Sequence, residues 1–227
     1  MRKIIFIGAN NPELSSMLDA LGPTNEYRFV GIVDNDPTKK GSSFCGLPVL
    51  GAFDELSLLD PDEFSLVNLI TRDAETRFET SKAGADLGFR FENFIHPSVD
   101  LSGVVMGTGN YIQRNVTLQV GVRIAHNVCI NSGSVVSHET SIGSSSFLAP
   151  GVTVAGLVEI NDGALLGVGA TVLPRLEIGR WSVIGGGAVV TRNVPPSSVN
   201  AGVPARTIRT KPAQYVSGNP WGHDGEE

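Results

Sequence analysis

Residues 106–190, written in sixes, read MGTGNY IQRNVT LQVGVR IAHNVC INSGSV VSHETS IGSSSF LAPGVT VAGLVE INDGAL LGVGAT VLPRLE IGRWSV IGGGAV V. Every group opens on an aliphatic residue, from Met106 to Val190, fifteen times without an insertion. The position two residues earlier is mostly small or β-branched, as at Val116, Ser134, Thr140, Val152, Ala164 and Ala170. Glycine often follows the aliphatic, at Gly107, Gly143, Gly167, Gly179 and Gly185. A fixed short period of this kind marks a solenoid of stacked units.

Period six fits neither a 3.6-residue helix nor simple alternation along a strand. It fits three short strands per coil, with a corner after each. Residues eighteen apart then stack on one face. Three inward ladders follow: Val136, Val154 and Val172; Ile130, Leu148 and Leu166; Ile142, Ile160 and Ile178. The core is a column in which each repeat contacts mainly its neighbours. This is the hexapeptide pattern of a parallel β-helix.

The sequence before the column reads differently. Lys3–Gly8 (KIIFIG) is a continuous apolar run ended by glycine, the pattern of a buried parallel strand. Further strands are expected at Arg28–Val33, Ser65–Ile70 and Phe89–Ile95, with helices at 12–21, 73–87 and Phe53–Leu59. Gly46–Gly51 reads as a short segment between turns. Strand alternating with helix predicts a small α/β (Rossmann-like parallel sheet) domain over 1–95, a β-helix domain over 96–210 after His96-Pro97, and a polar tail over 211–227.

Such sheets take ligands at the carboxyl ends of their strands. Here those ends carry Asn10 after the first strand and Asp34 and Asn35 after the second. Their amide and acid groups can hold a ribose or a base edge, or Asp34-Asn35-Asp36-Pro37 can be a turn and nothing more. A dinucleotide fingerprint is absent, because Gly8-Ala9-Asn10-Asn11-Pro12-Glu13 is not GxGxxG.

The formal net charge of -6 argues against nucleic acid as a partner. Two cysteines, Cys45 and Cys129, fit a reducing cytoplasm rather than a disulfide framework. The amino-terminal apolar run is too short for a signal peptide, and no stretch is long enough for a membrane-spanning helix. Of four histidines, His96 reads as structural at the domain junction and His223 lies in the tail. His126 and His138 are twelve residues apart, two hexads, so they leave different faces and cannot share a metal within one chain. No metal site is expected.

His138 is the candidate base, since imidazole titrates near neutral pH. Glu139 can orient its ring, provided that the chain bends there, because neighbours on a flat strand point oppositely. Eighteen residues on, Gly156 falls on the same face one coil along. A glycine there clears space and offers a backbone N–H beside the imidazole, where negative charge would build on an attacked carbonyl.

Phe94-Ile95-His96-Pro97-Ser98, the hexads, Val136-Ser137-His138-Glu139, Ala155-Gly156 and Gly202-Val203-Pro204-Ala205 together resemble the left-handed β-helix acyltransferases. The small amino-terminal domain narrows the resemblance to bacterial sugar acyltransferases, over nearly all of residues 1–210. The resemblance implies a left-handed column, a homotrimer, and acetyl-CoA in the groove between neighbouring columns. It implies that His138 deprotonates the acceptor, that the Gly156 N–H meets the acetyl carbonyl, and that Val168 and Gly186 line the pantetheine arm. Gly202 and Pro204 would lie near the distal end of the coenzyme, and Asn10, Asp34 and Asn35 would hold the nucleotide of a nucleotide-sugar acceptor.

The chain departs from the family at four places. Ser137 stands where an acid often precedes the histidine, Phe147 where some members have a second histidine, Asn10-Asn11-Pro12-Glu13 in the turn after the first strand, and Ile70-Thr71-Arg72 after the third. Arg72 can bind a phosphate or face water. The expected activity is N-acetylation of a nucleotide-linked amino sugar in polysaccharide biosynthesis. The alternatives are O-acetylation of a sugar such as sialic acid, or a non-catalytic trimeric scaffold.

Overall fold

A computed structural model describes residues 2–22 and 27–210; the expected tail at 211–227, with His223, lies outside the described residues. The first unit is a six-stranded sheet. Its elements are β1 (Arg2–Ile7), α1 (Glu13–Leu21), β2 (Tyr27–Val33), β3 (Ser43–Phe44), β4 (Leu47–Gly51), β5 (Phe64–Asn68), α2 (Ala74–Asp86) and β6 (Arg90–Phe91). The strand order is β3-β4-β2-β1-β5-β6, parallel except for the β3–β4 pair. Ile5, Phe6, Ile32 and Leu66 are fully buried, as the unbroken apolar runs require.

Two local expectations change. Leu47–Gly51 is a strand of the sheet rather than a segment between turns; it pairs with β2 and, in an antiparallel hairpin, with the two residues of β3. The expected strand Phe89–Ile95 is split. Arg90–Phe91 closes the first sheet, whereas β7 (Phe94–Ile95) pairs with Tyr111–Ile112 and begins the column. Residues Phe53–Leu58 form a 3-10 helix.

The column is a left-handed parallel β-helix of two-residue strands in three sheets. Leu118, Val136, Val154, Val172 and Val190 stack on one face, and Ile112, Ile130, Leu148, Leu166 and Ile184 on a second. Met106, Ile124, Ile142, Ile160 and Ile178 stack on the third. The three ladders read from the sequence are those observed, and their members from Val136 to Val172 are buried. Each such side chain contributes on the order of 2 kcal/mol by leaving water. Polar residues that point inward are satisfied across the coil: Ser134, Thr140 and Ser146 each donate to a carbonyl fifteen residues on, at 3.1 Å.

The corners explain how a chain of L-residues turns so often. Left-handed backbone recurs every eighteen residues on each edge. One edge carries Gly103, Gly121, Glu139, Leu157 and Arg175; the next Gly109, Asn127, Ser145, Gly163 and Trp181; the third Asn115, Gly133, Gly151, Gly169 and Gly187. Seven of these fifteen are not glycine, each at a cost of about 1 kcal/mol that the stacked coils offset.

The two units share one apolar cluster. Phe94 lies edge-on to Phe6 at 5.2 Å and stacks on Tyr111 at 6.0 Å. Helix α2 sits between sheet and column. Gly84 lets it lie close to Phe91 and Leu66, and Phe78 meets Trp181 edge-on at 5.4 Å. Its buried stripe is otherwise polar or small: Ala74, Arg77 and Ser81.

Candidate active site

His138 follows the strand Val135–Val136 and stands at the first corner edge. Two backbone hydrogen bonds set its position: its N–H donates to Gln119 Oε1 at 3.0 Å, and its carbonyl accepts the Leu157 N–H at 3.0 Å. Glu139 has φ 56°, the bend that lets two adjacent side chains meet. The imidazole Nδ1 is 3.1 Å from Glu139 Oε2. A carboxylate there favours the tautomer with Nδ1–H, which leaves Nε2 as the acceptor.

One coil along, Gly156 opens the space that the ring occupies. A Cβ on Gly156 would lie 2.6 Å from His138 Nε2 and 2.7 Å from Cε1. The Gly156 carbonyl accepts from the Arg175 N–H at 3.1 Å, while among the described residues its own N–H has no partner. A half-exposed imidazole and an unused backbone donor thus share one edge of the column. Such a pair can take a proton and steady an oxyanion.

The other expected coenzyme residues lie elsewhere on this chain. Val168 and Gly186 are on the third corner edge, stacked through the Gly187 N–H to Val168 carbonyl bond of 2.8 Å. Gly202 and Pro204 are in the turn between strands Ser198–Ala201 and Arg206–Thr210, where the Val189 N–H donates to the Gly202 carbonyl at 3.1 Å. One face, the strands Val135–Val136 to Val189–Val190, separates this edge from that of His138. Six residues of extended chain span up to ~20 Å, so a single chain does not bring the two groups into contact.

His96 and His126 brace turns. His96 Nδ1 accepts the Ser98 N–H at 3.0 Å, and His126 Nδ1 accepts the Thr108 N–H at 3.0 Å. Among the described residues no group of acids, histidines and cysteines is arranged to hold a metal. Phe147 is buried on a different face from His138, in register with Cys129 and Leu165.

Asn10, Asp34 and Asn35 come together in a cavity of about 580 Å³ at the carboxyl ends of β1, β2 and β5. They are not equally available. Burial pushes the Asp34 carboxyl up, but hydrogen bonds from the Asp36 and Ala9 N–H groups and from Lys39 outweigh it and hold it below its ordinary value. Both oxygens accept bonds: Asp36 N–H at 2.9 Å to one, Ala9 N–H at 2.7 Å and Lys39 Nζ at 3.1 Å to the other. Asp34 therefore shapes the loop as well as lining the cavity. Asn10 Oδ1 accepts from Lys39 Nζ at 2.6 Å and Asn35 Oδ1 from the Phe53 N–H at 2.8 Å, which leaves both amide nitrogens as donors.

The sequence reading missed Phe53, Thr76 and Thr80, which complete the wall with Thr71 and Arg72. The two threonines are four apart on α2 and so share a face, a weak signal that only the helix assignment could have raised. Arg72 is 87% exposed in its side chain and pairs with Asp73 at 3.0 Å.

No protein-family model and no curated protein sequence matches the chain. Solved structures do. PerB from Caulobacter crescentus, in complex with CoA and GDP-perosamine, is 32% identical with a TM-score of 0.80, over 91% of this chain and 97% of that one. Two variants of that perosamine N-acetyltransferase, with one histidine replaced by asparagine or by alanine, are also known with CoA and GDP-perosamine. The acetyltransferase domain of PglB from Neisseria gonorrhoeae FA1090, in complex with acetyl coenzyme A, is 26% identical with a TM-score of 0.80, over 91% of this chain and 99% of that one. WeeI from Acinetobacter baumannii AYE shares the fold at 23% identity and a TM-score of 0.77, over 92% of this chain and 100% of that one.

Proposed function

Because the chain belongs to the hexapeptide-repeat bacterial sugar N-acetyltransferases, we propose that it moves acetyl from acetyl-CoA to the amino group of a nucleotide-linked sugar. The acceptor nitrogen attacks the thioester carbon directly, with no acyl-enzyme. The carbonyl oxygen gathers charge against the Gly156 N–H, and His138 Nε2 takes the proton that the nitrogen loses. The C–S bond then breaks, and the leaving thiolate recovers that proton from the imidazolium. Glu139 keeps the ring in the accepting tautomer.

The observation that carries this reading is the approach of His138 Nε2 to the open backbone of Gly156. GDP-perosamine bound to PerB supports a nucleotide-linked amine as the class of acceptor. The cavity around Asn10 and Asn35 is the site proposed for the nucleotide, with Arg72 at its rim for phosphate. A homotrimer supplies what one chain lacks: the edge of His138 and Gly156 on one subunit faces the edge of Val168 and Gly186 on the next, with Gly202 and Pro204 above. Acetyl-CoA and nucleotide sugars are cytoplasmic compounds, and the two free cysteines agree with that setting. The product would feed polysaccharide biosynthesis.

The test is the His138→Ala variant, assayed with GDP-, UDP-, dTDP- and CMP-linked amino sugars. Loss of roughly 10²–10⁴-fold in kcat with unchanged acetyl-CoA binding is expected. Turnover equal to wild type would overturn the assignment.

A further inference from the structure

The guanidinium of Arg77 is completely buried and makes hydrogen bonds to four backbone carbonyls drawn from both units. Nη1 donates to Asn68 at 2.6 Å and to Ile70 at 3.4 Å, at the end of β5. Nη2 donates to Gly109 at 3.1 Å and Nε to Asn127 at 3.1 Å, both left-handed corner residues of the column, one coil apart. Among the described residues no carboxylate pairs with it, so carbonyl dipoles alone hold the charge. Ser81 extends the link. Its hydroxyl accepts from Asn68 Nδ2 at 2.8 Å and donates to Asn127 Oδ1 at 2.9 Å.

A buried cation without a counter-ion is a costly way to join two units that already share an apolar cluster. Its placement suggests what that cost secures. Arg77 lies on α2 one residue after Thr76 and three before Thr80, both in the cavity wall. Its partners Asn68 and Ile70 lead into Thr71 and Arg72, the rest of that wall, and Asn68 Oδ1 also accepts the Ile70 N–H at 2.8 Å. The planar fork therefore fixes the wall on one side and the corner edge of the column on the other.

We infer that Arg77 is a positioning residue: it locks the wall of the acceptor cavity to the β-helix and so sets where the sugar amine meets the acetyl group. The inference rests on the reading of that cavity as the nucleotide site. Lysine keeps the charge but replaces the fork with three donors at a single point, which cannot reach carbonyls on both sides. The wall loosens, and the acceptor loses both affinity and aim. Acetyl-CoA, held by the column alone, does not.

The experiment uses the full chain in wild-type, Arg77→Lys and Ser81→Ala forms. It measures acetyl transfer at varied concentrations of each substrate, together with calorimetric binding of GDP, UDP, dTDP and CMP. Expected for Arg77→Lys is an acceptor KM raised about tenfold or more with a lowered kcat, weaker nucleotide binding, and an acetyl-CoA KM within about twofold of wild type. Ser81→Ala shifts the same way by a smaller factor, and it carries the test if Arg77→Lys does not fold. A purely structural role predicts fewer active molecules with both KM values unchanged, and that result overturns the inference. A wild-type protein that binds none of GDP, UDP, dTDP and CMP overturns the reading of the cavity, and the inference with it. Wild-type binding that is matched by the variants overturns the inference alone.

Discussion

In a Gly156→Ala variant the new methyl carbon would stand 2.6 Å from His138 Nε2, 2.7 Å from Cε1 and 3.1 Å from Cδ2. Carbon and ring atoms sit comfortably at about 3.5 Å, so one of them must yield by about 1 Å. The methyl is fixed to backbone whose carbonyl is held by the Arg175 N–H, whereas the imidazole is 51% exposed and can swing outward. The ring therefore moves, and the coil does not. Stability should change little. The φ of Gly156 lies outside the left-handed region, so alanine is tolerated and lowers the entropy of the unfolded chain by up to about 1 kcal/mol. Activity should change greatly, because a misplacement of about 1 Å at the reacting atoms costs on the order of 10²-fold, or about 2.7 kcal/mol of barrier. Release of the CoA thiol, followed with a thiol reagent, measures kcat; a thermal melt of the same sample measures stability. A variant that keeps wild-type kcat would refute the claim that base and backbone donor form one site. A variant that melts far below wild type would refute the claim that the ring is the part that gives.

Two further outcomes follow from the same geometry. Glu139→Ala removes the partner of His138 Nδ1 at an exposed corner, so kcat should fall roughly tenfold with the melting temperature nearly unchanged; an unaltered kcat would mean that Glu139 has no part in holding the ring. The carboxyl of Asp34 is held below its ordinary value in the folded chain, so it binds protons less readily there than when unfolded. Its contribution is complete above about pH 4 and is lost as pH falls below the ordinary aspartate value of about 3.9. Asp34→Asn should lower stability at neutral pH and flatten the acid limb below about pH 4, measured by urea titration at each pH.

The column was legible because its period is a property of composition and spacing together. An aliphatic at every sixth place leaves no other face to bury, and the ladders of Val136, Ile130 and Ile142 follow from arithmetic. His138 and Gly156 were legible for the same reason, since eighteen residues make a coil. The bend that joins His138 to Glu139 was only conditional in the sequence, because nothing in Glu139 itself signals a left-handed corner; its neighbours along the edge, Gly121 and Leu157, impose one. Leu47–Gly51 was obscured by Pro48 and by glycine at each end, the usual marks of a turn, although a short strand near a sheet edge also accommodates them. Arg77 was hidden by its type. The buried stripe of α2 is made of Ala74, Arg77, Ser81 and Gly84, so hydropathy gives no hint of which side faces inward. The resemblance assigned Asp34 to the nucleotide; the structure places it in the cavity wall and adds bonds from Ala9, Asp36 and Lys39, because contacts between loops twenty-five residues apart do not announce themselves in either loop.

The three-fold division of each coil makes the molecule behave like a screw with an index. Removing one whole coil of eighteen residues above Gly156 would shorten the column and leave every later side chain in phase. Removing six would rotate everything beyond the cut by a third of a turn. Trp181 would leave the edge where it covers Gly163 and meets Phe78, and Gly186 would turn away from its present side while His138 stayed in place. Length in this protein is therefore free to vary only in whole steps, and the smaller change is the more damaging one.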